Sequence, residues 1–161
     1  MTPAKGSLGA VGKVGQGKVG RVDRSEDEIL VEELAALGAV SGGSGHLTRL
    51  VARRMRKNVH EIDLVVPLPF EGAVERVVDV LAGAGRATGP LRFGPGTDQE
   101  TIRAVVGGGA GGLNPVVVTV LVTRGGVDGS EVRLRAAAKE GLIKQRAGER
   151  TAVRLAALLG G

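Results

Sequence analysis

The sequence predicts an α+β fold. Its antiparallel sheet would have about five strands, in the order strand, helix, four strands, helix, with both helices on one sheet face and a helical extension in front. Three observations carry this. His60, Ile62, Leu64 and Val66 alternate with Val59, Glu61, Asp63 and Val65 until Pro67 and Pro69 stop the pattern, which is the period of a half-buried strand. Phe70, Ala73, Val74, Val77, Val78 and Leu81 then recur at helical spacing, opposite Glu71, Glu75, Arg76 and Asp79. Further on, an apolar run at 114–124 and an alternating run from Val132 to Ala138 flank a turn at 125–129, as in a hairpin. The final stripe of Ala147, Gly148, Thr151, Leu155, Leu158 and Leu159 predicts the closing helix.

The remaining elements follow in order. Residues 1–24 repeat GKVG and are too rich in glycine for a helix, so they read as a flexible basic tail. Ser25 followed by Glu28 is a capping-box signature, and Ile29, Leu30, Leu34 and Leu37 continue it as a helix with Gly38 as its stop. SGGSG at 41–45 reads as a linker, and 46–57 as a short helix with Leu47, Leu50, Val51 and Met55 on one stripe. Residues 88–93 and 100–106 are weaker strands around a turn-rich GPGTDQ. Val116 to Val118 and Val120 to Val122 make the next strand apolar on both faces, so both faces need a cover. The organisation is a tail at 1–24, a helical extension at 25–58 and the α+β domain at 59–161.

Composition excludes several chemistries. Of 161 residues, 47 are Val, Leu, Ile or Phe, enough for a core, while Cys, Trp and Tyr are absent and Phe70 and Phe93 are the only aromatics. Disulfides, thiolate metal sites and cysteine nucleophiles are thereby ruled out, and stacking sites for single-stranded nucleic acid are poorly supplied. The formal net charge of +5 lies almost wholly before residue 59. No apolar run reaches the length of a membrane span and no secretory leader is visible, so a cytoplasmic protein is expected. The excess of Gly, Ala, Arg and Val has the cast of a high-GC bacterial genome.

IDLVVPLPFEGAVERVVDVL at 62–81, a strand running through prolines into an amphipathic helix, and AAAKEGLIKQRAGERTAVRLAALL at 136–159 resemble the helix-grip (START-like) superfamily. The TATA-binding-protein-like fold shares the same element order. The resemblance spans about residues 59–161 and implies a cavity between the sheet and the last helix that holds an apolar small molecule. Its wall would come from Ile62, Leu64, Val74, Val78, Val118, Val120, Leu134, Ala136 and Leu155, which are equally the residues of a plain core. The TATA-binding comparison implies apolar wedges in a minor groove, whereas Phe70 and Phe93 read as core and strand.

Other candidate sites are weaker. Gly12, Gly17 and Lys18 approach a phosphate-binding loop, but Val19 stands where a magnesium-ligating Ser or Thr is needed and no strand leads in. Arg53, Arg54, Met55, Arg56 and Lys57 form a basic run. With Lys13, Lys18 and Arg49 it could meet phosphates or an anionic surface, against the plainer reading of a solvated helix face. GGGAGG at 107–112 reads as a hairpin loop, His60 as a satisfied edge or core histidine, and Glu61 and Asp63 as cross-strand partners of Arg133 or Arg135. No catalytic set, metal site or cofactor is expected.

The leading expectation is a non-enzymatic binding module for a small apolar ligand or a protein partner. The alternatives are a nucleic-acid-associated protein, and an assembly protein that homodimerises over the two-faced strand or covers it with its own first helix. Deleting residues 1–24 is expected to leave the thermal melting temperature nearly unchanged; loss of cooperative unfolding would show that the tail is part of the fold.

Overall fold

The computed structural model describes residues 24–88, 98–141 and 145–161. Two helices, α1 (Glu26–Val40) and α2 (Gly45–Arg54), precede the first strand, β1 (Arg56–Val66). Then come α3 (Phe70–Ala84), the short β2 (Gly85–Ala87), β3 (Gln99–Gly108), a 3-10 turn at Ala110–Gly112, β4 (Asn114–Arg124), β5 (Ser130–Glu140) and α4 (Ala147–Gly160). The five strands form one antiparallel sheet in the order β1-β5-β4-β3-β2. The chain therefore crosses through α3 to the far edge of the sheet and returns strand by strand to lie beside β1.

The period-two pattern decides what lies where. Val116, Val118, Val120 and Val122 of β4 share a face with Val132, Leu134, Ala136 and Ala138 of β5 and with Ile102, Ala104 and Val106 of β3, all buried. Phe70, Ala73, Val74, Val77 and Leu81 of α3 and Ala147, Ala152, Leu155 and Leu159 of α4 close over this inner face. On the opposite, outer face, Val59, Ala137, Val117 and Val105 stand in register across four strands. Ile29 and Leu30 of α1 cover that row.

Ion pairs fix how α1 lies. Glu26 accepts from Arg135 Nε at 3.0 Å and lies 3.7 Å from Lys57 Nζ. Asp27 meets Lys139 Nζ at 2.8 Å, and the Lys139 side chain is only 3% exposed. Arg135 and Lys139 of β5 thus find counter-charges in the first turn of α1, where acidic side chains also suit the helix dipole. Ser25 and Glu28 form the full capping box at that end.

Local chemistry places the inner helices too. Ser130, fully buried, donates through Oγ to the Leu68 carbonyl at 3.0 Å and ties the turn before α3 to β5. Arg124 lies 4.7 Å from the centre of the Phe70 ring and bonds Glu71 Oε1 at 2.9 Å, anchoring the start of α3. At α4 the buried Glu140 carboxylate accepts the Ala147 N–H at 3.3 Å, taking up one of the helix's free donors. A Cβ on Gly148 would lie 3.1 Å from the Ala136 carbonyl oxygen, so this glycine lets α4 settle against the sheet.

Three expectations are corrected. Gly38 does not stop α1, which runs to Val40; a Cβ there would fall 2.2 Å from Thr48 Oγ1, so its smallness serves the crossing of α1 and α2. SGGSG is a closed turn, with the Gly43 N–H bonded to the Gly38 carbonyl at 2.9 Å and Ser44 capping α2. The helix expected over 46–57 ends at Arg54, and Arg56 and Lys57 belong to β1, which begins three residues before the predicted strand. The strand expected at 88–93 lies mostly outside the described residues, as does Phe93; its described neighbour is β2.

Leu30, with no exposed surface, is the test of α1 as a structural element. Leu30→Ala is expected to destabilise the whole domain by about 3 kcal/mol in urea unfolding, whereas a loss near zero would mean that α1 rests on the sheet without stabilising it.

Candidate functional site

The candidate site is the aliphatic layer between the inner sheet face and α3 and α4. Strand alternation turns Ile62, Leu64, Val118, Val120, Leu134 and Ala136 into it, and helical periodicity adds Val74, Val78 and Leu155. All nine predicted wall residues belong to one apolar cluster or pack against it. Val74, Val118, Val120, Leu134, Ala136 and Leu155 are at most 1% exposed. Side chains with so little accessible surface line no empty, water-sized void, so this part of the layer is packed as a core.

The margins differ. Ile62, Leu64, Val78, Val80 and Ala84 are only partly buried against the same cluster. On α3, a turn of 100° per residue puts Val80 and Ala84 on the flank of Arg76. The Arg76 guanidinium donates to the Leu158 carbonyl at 2.9 Å and the Gly161 carbonyl at 3.2 Å, so this flank faces α4. One polar clasp therefore joins the two helices at the C-terminal end of α4. Further along α3, Val80 and Ala84 on this flank pack partly buried against the cluster.

His60 shares the inner face of β1 and stands opposite Ala136. Among the described residues no group of three or more His, Asp or Glu side chains is arranged to hold a metal ion. Arg133 Nε bonds Asp63 Oδ1 at 2.7 Å and Arg135 pairs with Glu61, as the cross-strand reading anticipated. Asp63, Leu64, Val65, Gln99, Leu121, Thr123, Glu131, Val132 and Arg133 surround a depression open to solvent. Its Asp63–Arg133 pair is already internally satisfied.

The basic set divides. Lys13 and Lys18 lie outside the described residues. Lys57 is engaged by Glu26, while Arg49, Arg53, Arg54 and Arg56 are exposed. Sequence reading missed Glu26, Asp27 and Lys139 as a linked set. The available signal was the row Arg133, Arg135 and Lys139 on one strand face, basic enough to require acids from elsewhere in the chain.

The architecture can now be compared. No protein-family model matches the sequence, and no curated protein does. Among solved structures, the chain is similar to Ara h 8.0201 at 13% identity, covering 65% of this chain and 93% of that one with a TM-score of 0.42. It is also similar to the Zhui aromatase/cyclase from a Streptomyces species at 15% identity, with the same coverage and a TM-score of 0.33. What this chain binds has to be read from its own residues.

One pH effect follows from the anchoring of α3. The hydrogen bond from Arg124 holds the Glu71 carboxyl below the usual glutamate range, and Glu71 in turn raises Arg124. A lowered folded pKa stabilises the fold above the ordinary glutamate pKa, and that contribution fades as pH falls through the lowered value. Glu71→Gln is expected to show a shallower fall of melting temperature than wild type across that acid window; parallel curves would show that the pair contributes nothing.

Proposed function

We propose that this protein is a non-enzymatic binding module for a small apolar molecule, taken up between α3 and α4 over the aliphatic face of the sheet. The observation that carries the reading is the seam between those helices. It gives onto a layer of Val, Leu, Ile and Ala, Val80 and Ala84 of α3 lie partly buried on the Arg76 flank, and Arg76 clasps the end of α4. A ligand there would gain by leaving water and would find few hydrogen-bonding groups to select it by polarity, so shape and length would decide its fit. Because the central wall residues are already packed, occupation requires the helices to part. The bound state would then be an opened form of the closed layer described above. Ile62, Leu64, Val74, Val78, Val118, Val120, Leu134, Ala136 and Leu155 would line that opened form.

Native mass spectrometry of the full chain, purified gently from its own host, tests this reading. The expected result is a discrete adduct that is lost on denaturation and whose extracted form raises the melting temperature when added back. A clean chain whose melting temperature responds to no fatty acid or polycyclic probe would overturn it.

A further inference from the structure

We infer that α2 is an interfacial element that docks the protein on an anionic lipid surface. This is independent of the ligand reading, since α2 lies outside the aliphatic layer. Ala52 is the only buried residue of α2, and the helix packs on α1 through the Gly38–Thr48 crossing. At 100° per residue, Thr48, Ala52 and Gly45 face that crossing, while Leu47, Leu50 and Val51 form a stripe on the far side. That stripe points away from the protein, with Leu47 63%, Leu50 47% and Val51 62% exposed. Val40, at the neighbouring end of α1, is 88% exposed.

Charge selects the occupant. Residues 34–60 contain five Lys or Arg and no Asp or Glu. Lys57 is taken by Glu26, but Arg49, Arg53, Arg54 and Arg56 make no ion pair among the described residues. Arg54 continues the stripe and Arg53 borders it on the Leu50 side, while Arg49 lies nearer the crossing; aliphatic tips can then enter the acyl boundary while the Arg53 and Arg54 guanidinium groups stay with lipid phosphates. A nucleic-acid backbone would satisfy the arginines yet leave the leucines against a polar groove. A protein cleft would need shape complementarity that a short convex ridge without aromatic anchors does not offer. An anionic bilayer surface accepts both halves of the helix.

The test is sedimentation of the full chain with vesicles of phosphatidylcholine alone or mixed with phosphatidylglycerol, beside Leu47→Ser/Val51→Ser and Arg53→Gln/Arg54→Gln variants. Melting temperatures close to wild type would confirm that these exposed changes leave the fold intact. The expected result is partition onto phosphatidylglycerol vesicles only, falling with salt. It should weaken about tenfold in the serine variant and about thirtyfold in the glutamine variant. Absence of binding, equal binding to neutral vesicles, or full retention by the serine variant would overturn the proposal. So would competition by duplex DNA that the serine changes leave unaltered, which would identify a phosphate-binding surface instead.

Discussion

Burying both faces of β4 is the constraint on which the rest of the structure depends. Val116, Val118, Val120 and Val122 require a cover on one side, and Val117 requires one on the other. A sheet with helices on only one face would leave the row Val59, Ala137, Val117 and Val105 in water, an apolar strip in the middle of an otherwise charged surface. Covering it with α1 removes that strip. The cover is oriented by charge, because Arg135, Lys139 and Lys57 project from the same face and the acidic first turn of α1 answers all three. Each interaction is modest, but a hydrophobic contact and its flanking ion pairs together define one position along the sheet.

The inner face solves a different packing problem. Ala136, Ala138, Ala147, Gly148 and Ala152 are all buried, and their small size lets α4 lie close to the sheet. Larger aliphatics fill the space under α3. The result is a closed layer, with Arg76 of α3 clasping the C-terminal end of α4. Any function that uses this interior has to work through the seam between the two helices, whereas α2 offers its apolar stripe without any rearrangement. Closure on one side and exposure on the other separate the two proposed activities in space.

Much of this was legible in the sequence because the signals were periodic. The two-faced run at 114–124 corresponds to β4, and the stripe from Phe70 to Leu81 lies within α3. The nine inward residues belong to one apolar cluster or pack against it because alternation and helical spacing are local properties of the chain. What the sequence left hidden had physical reasons. Arg53 to Lys57 carry no hydrophobic period, so the switch from helix to strand at Met55 leaves no trace in side-chain chemistry. Gly38 looks like a helix terminator, and only the position of Thr48 shows that it is a contact. The Glu26–Arg135 pair joins residues more than a hundred positions apart, and nothing in either segment alone names its partner.

The central claim, that α1 is part of the folded sheet, is tested most directly by amide hydrogen exchange on the full chain. The account predicts that residues 29–35 of α1 exchange with protection close to that of β4, because opening one exposes the other. Fast exchange in α1 beside slow exchange in β4 would contradict it, and would mean that the sheet is stable with its outer apolar row uncovered.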